Sequence, residues 1–320
     1  MQPQQPLLKT VVCPGAAGAP PGAEPTDGTH RMAWWEWNAT GDAHHPHVVV
    51  CVHGLSRQGR DFDVLARTLS RHARVVCPDV VGRGRSDWLQ DPNGYGVPQY
   101  AADMLALLAQ LQAEGPIGTL DWVGTSMGGL IGLAVGGQPG LPLAQPIRRM
   151  VLNDVGPSLQ WEALQRIGTY LGRPVEFLSV EEAAQGLRLV SQGFGPHTAA
   201  EWMALTAPML RPRGDRWVLH YDPAIAVPFR AFTEQAAAQS EQVLWSLYDH
   251  LNAQTLLLRG ADSDLLSPAT AQAMAERGPR ARVVEFAGVG HAPTLVAADQ
   301  VAVVRDFLFA ETDAREPVAG

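Results

Sequence analysis

The stretch GTSMGGL, residues 124–130, sets Ser126 between Gly124 and Gly128, directly after the apolar run 120–123. A serine hydroxyl is a weak nucleophile until a base takes its proton and a carboxylate orients that base. Flanking glycines suit a tight strand-to-helix turn that exposes the hydroxyl, because they remove side chains where strand and helix close on each other. Ten histidines compete for the role of base. His291 stands apart in "GVGHAP" (288–293), a glycine-bounded loop just after an apolar run. For the acid, "RGADSDLLSP" (259–268) holds Asp262 and Asp264, and Asp264 keeps the chain order serine, acid, histidine. Asp154, in "NDVGP" (153–157), is the other strand end from which a carboxylate reaches the same imidazole; as a bland alternative it is a turn residue. A tetrahedral intermediate also needs two backbone donors for its oxyanion. Met127 N–H follows the serine, and Leu55 N–H lies in "VHGLSRQGRDF" (52–62), where Gly54 lets the main chain come close. His53 reads as packing that loop. Arg57, two residues beyond Leu55, is a candidate holder of a substrate carboxylate; otherwise it pairs with a carboxylate such as Asp61 or starts the next helix.

These residues need elements to hold them. Short apolar runs at 47–52, 74–77, 120–123, 150–154, 255–258 and 282–286 alternate with amphipathic stretches. Phe62, Leu65 and Leu69 share one helical face, as do Tyr100, Met104, Leu107, Leu108 and Leu111. Runs buried on both faces, alternating with helices, predict an α/β fold with a mostly parallel central sheet flanked by helices. In such a sheet ligands bind at the C-terminal edge of the strands, where both the serine turn and the histidine loop fall. The alternating aromatic stretch MAWWEWN (32–38) predicts antiparallel strands at the start of the sheet. The rhythm breaks between 156 and 252, a segment rich in aromatics that reads as a mostly helical insertion between two strands of the sheet. The expected division is a mobile leader over 1–29, a core over 30–155 and 253–320, and the helical insertion over 156–252.

The bulk numbers limit the partners. The 320-residue chain is 46% hydrophobic and carries a net charge of −8 with pI near 5.7, which argues against nucleic acid or an anionic membrane. No apolar run is long enough to span a bilayer, and no signal-peptide pattern opens the chain, so cytoplasm is the expected compartment. Cys13, Cys51 and Cys77 lack metal-ligand spacing; no disulfide framework, metal or other cofactor is expected.

Taken together, "HGLSR" (53–57), "DVVGRGRSD" (79–87), "GTSMGG" (124–129) and "GVGHAP" (288–293) resemble the motifs of the α/β-hydrolase-fold serine hydrolases, in family order. The resemblance covers most of the chain from His47 onward. It implies Ser126 as nucleophile, His291 as base, Asp264 as acid, an oxyanion hole from Leu55 and Met127, and a cap at 156–252. The implied activity is hydrolysis of a small-molecule carboxylic ester through an acyl-enzyme. C–C bond hydrolases and acyltransferases use the same triad, and a catalytically silent binding protein is the rival from another class. Serine at 126 excludes the haloalkane dehalogenase and epoxide hydrolase branches, which use aspartate. One departure stands out: the family's acid falls three residues after the strand-end glycine, and here that residue is Ser263.

Overall fold

The computed structural model describes residues 5–16, 18–19 and 28–310. Eight strands form one sheet: β1 (Leu7–Pro14), β2 (Thr29–Trp37), β3 (His47–Val52), β4 (Arg74–Asp79), β5 (Thr119–Thr125), β6 (Ile147–Asn153), β7 (Gln254–Gly260) and β8 (Arg282–Phe286). Their order across the sheet is β1-β2-β4-β3-β5-β6-β7-β8. Only β2 runs against its neighbours, pairing antiparallel with β1 and β4, while the remaining pairs are parallel.

The apolar strands are buried on both faces. Val48, Val50 and Val52 of β3 enter one core together with α2 (Val97–Glu114) and α3 (Met127–Gly137). Val49 and Cys51 enter the other, against α1 (Asp63–Leu69) and α10 (Ala298–Phe309). This period-two alternation between two covered faces is what a three-layer α/β sandwich demands of its central strands. Cys51 and Cys77 are free, buried core residues.

The start of the chain differs from a mobile leader. Residues 7–14 form the edge strand β1, in register with 29–36. Val11 and Cys13 are buried beneath it, and Lys9 pairs with Glu36 at 3.0 Å. Burial and a full ladder of hydrogen bonds hold this segment in the sheet. The parts of the expected leader at 1–4, 17 and 20–27 lie outside the described residues.

Between β6 and β7 stand α4 (Trp161–Tyr170), α5 (Val180–Val190), α6 (Ala199–Thr206), α7 (Ala226–Ala231) and α8 (Glu234–Asp249). This segment is not purely helical. Glu176–Phe177, Leu210–Arg213 and Arg216–Leu219 make a small antiparallel sheet. Nor does it stand apart from the main body. Tyr248 at the end of α8 is fully buried in the main core, and the main chain at Leu247 crosses Gly137 of α3 where a β-carbon would lie 2.1 Å from its carbonyl oxygen. After β7, α9 (Pro268–Glu276) completes the helical layer.

A polar tie fastens β1 and β2 to α2. His30 Nε2 lies 3.1 Å from Asp103 Oδ1 with both side chains fully buried, and Gln99 donates to the same carboxylate oxygen at 2.8 Å. Asp103→Ala leaves the buried His30 ring without its partner, so it should cost about 1–3 kcal/mol of unfolding free energy. Chemical denaturation of the variant beside wild type measures it; equal midpoints and slopes would mean the tie contributes nothing.

Candidate active site

Ser126 sits on the turn between β5 and α3 with φ 52° and ψ −116°, a conformation L-residues rarely hold. The glycines explain how the turn is tolerated. A β-carbon at Gly128 would stand 2.0 Å from the Val52 carbonyl oxygen, and one at Gly124 would stand 2.4 Å from that of Gly128. Both approaches are main chain against main chain and leave no room for a side chain. Ser126 N–H donates to Asn153 O at 3.0 Å. The Asn153 amide donates to Thr125 Oγ1 at 3.0 Å and to Pro293 O at 2.8 Å. One buried asparagine thus ties the serine turn to the histidine loop.

His291 meets that serine. Its Nε2 is 3.0 Å from Ser126 Oγ, and its Nδ1 is 2.7 Å from Asp154 Oδ2. A carboxylate only accepts, so Nδ1 carries the proton and Nε2 is free to take the serine's. Asp154 is fully buried at the end of β6. Its Oδ1 accepts Gly260 N–H at 2.8 Å, and its Oδ2 also accepts the Ser263 hydroxyl at 2.6 Å.

The acid expected from sequence is therefore corrected. Asp264 lies about half exposed and pairs with Arg166 of α4 at 2.7 Å. Ser263, at the position where the resembling family places its acid, instead points inward and donates to Asp154. Its hydroxyl oxygen also accepts Leu266 N–H at 3.1 Å, which fixes the loop. The one-residue departure at Ser263 was the available signal, since it turns Asp264 outward.

Arg57 is corrected as well. Its Nε and Nη2 grip Asp61 in a forked pair at 2.6 and 2.7 Å. Nη2 also donates to Leu205 O at 3.1 Å, and the guanidinium lies 5.5 Å from the Phe194 ring. The fork expected to hold a substrate carboxylate is occupied by Asp61, one of the alternatives named for it. The arginine joins the loop after β3 to the β6–β7 insertion.

That loop abuts the serine, with a β-carbon at Gly54 falling 3.7 Å from Ser126 Cβ. His53 braces it from behind. Val80 N–H donates to His53 Nε2 at 2.9 Å, so Nδ1 bears the proton and donates to Gly54 O at 2.7 Å. That carbonyl belongs to the peptide whose N–H is Leu55's, so the bond draws electron density away from the Leu55 N–H and sharpens it as a donor. Met127 opens α3, where backbone N–H groups have no partner within the helix.

The insertion closes down on the histidine. Gly290 N–H donates to Gly193 O at 2.7 Å, and a β-carbon at Gly193 would lie 3.2 Å from His291 N. His197 Nε2 meets Thr294 Oγ1 at 2.7 Å. Phe194 and Trp202 stack with centroids 6.0 Å apart. Among the described residues the only group with clustered metal-ligand chemistry is Cys13, His30 and Asp103, at the β1 edge of the sheet. There it serves the polar tie described above, away from the serine turn.

A sequence model of the alpha/beta hydrolase family matches residues 49–304. The chain is 49% identical to a 3-hydroxybutyrate-oligomer hydrolase of Cupriavidus necator over 88% of its own length and 93% of that protein's. It is 26% identical to a 2-hydroxy-6-oxo-2,4-heptadienoate hydrolase of Pseudomonas putida, over 82% and 89% of the two chains. Among solved structures, an alpha/beta hydrolase from Novosphingobium aromaticivorans superposes with a TM-score of 0.77 at 33% identity, covering 94% of this chain and 98% of that one.

The loop brace has a pH signature. Complete burial, with the charges of Arg83 and Arg57 nearby, holds the His53 ring down at about 3. The unfolded chain binds a proton at His53 near pH 6.5, and the folded one does not until about pH 3. Stability from this group is whole above pH 6.5 and drains away as the pH falls between those values. By pH 5 it amounts to about 2 kcal/mol relative to neutral pH. Urea unfolding at pH 7.5 and pH 5 should show a smaller drop for His53→Asn than for wild type; equal drops would place the proton elsewhere.

Proposed function

The chain belongs to the alpha/beta hydrolase family and hydrolyses carboxylic esters; from that premise we propose that Ser126, His291 and Asp154 form its catalytic triad. The observation that carries this reading is the unbroken contact from Ser126 Oγ through the imidazole to Asp154 Oδ2, at 3.0 and 2.7 Å. Ser126 Oγ attacks the acyl carbonyl while His291 Nε2 takes its proton. Asp154 holds the imidazole in the Nδ1–H tautomer and stabilises the imidazolium that forms. The N–H groups of Leu55 and Met127 hold the developing oxyanion. His291 then protonates the leaving alcohol and activates a water for deacylation.

For the substrate, we propose esters of short hydroxy acids, with oligomers of 3-hydroxybutyrate foremost. The support is the 49% identity, nearly end to end, to a hydrolase named for that substrate. Each cleavage of such an oligomer leaves a new carboxylate on one product and a new hydroxyl on the other. The segment 156–252 serves as the cap, with its turn at Gly193 and Phe194 next to the histidine. Three buried free thiols fit a reducing compartment, and the cytoplasm is the setting assigned. Among the described residues no helix is long and apolar enough to cross a membrane.

Asp154→Asn should lower turnover by about ten-thousand-fold, as loss of the imidazole's orienting acid does. Asp264→Asn should stay within about twofold of wild type, because an exposed ion pair contributes little. Steady-state kinetics on one p-nitrophenyl ester reads both, and the opposite ranking would return the acid to Asp264. For the substrate, chromatography should show 3-hydroxybutyrate released from its linear trimer by wild type. Ser126→Ala should lower that rate by roughly six orders of magnitude. An enzyme that cleaves simple esters and leaves the trimer intact would retain the triad and lose the substrate.

A further inference from the structure

The reading above leaves one buried cation without a use. Arg83, between the two glycines of "DVVGRGRSD", is fully buried. Among the described residues it forms no ion pair, and its hydrogen bonds all go to neutral groups. Nε donates to Leu55 O at 2.9 Å. Nη1 donates to Val81 O at 2.7 Å and to the Tyr100 hydroxyl at 3.0 Å. Nη2 lies 3.7 Å from Met127 Sδ. The rings of Tyr100 and Tyr95 flank the guanidinium at 5.0 and 5.8 Å.

Two of these four partners are the residues assigned to the oxyanion hole. We propose that Arg83 is the positioning residue of that hole: one guanidinium holds the main chain at Leu55 and the side chain of Met127, fixing both N–H donors at once. The inference rests on the donor roles of Leu55 and Met127 given above.

The fork geometry suits this task. A planar guanidinium presents donors in fixed directions, so it sets the spacing between the two residues it touches in a way a flexible ammonium does not. The loop that carries it is itself braced. Asp79 accepts Gly59 N–H and Arg85 N–H, each at 2.8 Å. Gly84 has φ +52°, and a β-carbon there would stand 2.2 Å from the Asp79 carboxylate. Gly84 N–H donates to His220 O at 2.9 Å, and Asp222 N–H to Gly82 O at 2.7 Å.

Charge adds to position. Burying a cation without an anion is costly, and it is tolerated where nearby dipoles solvate it. Here those are two carbonyls, a hydroxyl and two aromatic faces. The buried, unpaired positive charge of Arg83, held against both residues, also favours negative charge developing at their N–H groups. Arg83 therefore acts on the oxyanion through Leu55 and Met127 without touching the substrate.

The test compares wild type with Arg83→Lys, which keeps the charge and loses the fork, and Arg83→Met, which loses both. Rates are normalised to active sites titrated with a fluorophosphonate. A trifluoromethyl ketone and its methyl ketone counterpart serve as inhibitors. The first captures Ser126 Oγ at its carbonyl carbon, passes the serine proton to His291 and forms an oxyanion; the second binds without that addition. The expected result is a fall in kcat per active site of about tenfold for Arg83→Lys and about a hundredfold for Arg83→Met, with KM within threefold. The trifluoromethyl ketone should weaken by the same factors while the methyl ketone does not move. If Arg83→Met does not fold, Arg83→Lys decides alone. Variants that lose only thermal stability or titratable sites, keeping kcat per site and trifluoromethyl ketone affinity within twofold, would make Arg83 a purely structural residue and overturn the inference. Failure of the underlying reading looks different, because wild type itself would then resist titration and bind both ketones alike.

Discussion

The N-terminus of α3 enters the sheet so closely that main chain touches main chain. Gly128 lies under the Val52 carbonyl, Gly124 against Gly128, and Gly132 against the Trp122 indole, where a β-carbon would fall 2.4 Å from its nitrogen. Trp122 Nε1 donates back to Gly128 O at 3.1 Å, which locks the approach. The strained Ser126 conformation exists because this packing surrounds and determines it. Other parts of the site are placed relative to that contact: the loop after β3 abuts the serine, the end of β6 brings Asn153 and Asp154 beneath it, and the loop after β8 brings the histidine over it. A side chain at Gly128 would move several of these parts together.

Much of this was legible in the sequence because it depends on local geometry. A serine between glycines at a strand end has few other uses, and a glycine-bounded histidine after the last apolar run falls on the same sheet edge. The strands were legible from their apolar runs, since a doubly covered sheet leaves no polar face to blur them. The acid was not. Two strand ends, after β6 and after β7, each offer a carboxylate to one imidazole, and chain order does not tell which side chain points inward. That depends on a shift of one residue, with Ser263 turned in and Asp264 turned out to Arg166. The loop side of Arg57 was readable only as a choice, because Asp61 four residues on and a substrate carboxylate are equivalent partners to a guanidinium.

Long-range contacts left still less trace. Residues 7–14 form a strand because Val11 and Cys13 find cover beneath β1, yet the Pro- and Gly-rich stretch that follows masks their alternation. The insertion was legible as a break in rhythm, but its small sheet pairs residues some 40 positions apart, as Trp217 with Phe177 shows. The buried asparagine linking Thr125 to Pro293 and the arginine touching both Leu55 and Met127 carry no motif of their own. Both act between loops whose meeting is a property of the folded sheet.

The seat of the Gly193 turn on the Gly290 loop joins two events usually treated as separate. The hydrogen bond there, Gly290 N–H to Gly193 O, sits one residue from His291. Any displacement of that turn breaks this bond and frees the main chain next to His291, so the position of the insertion and the seating of the imidazole are linked through one contact.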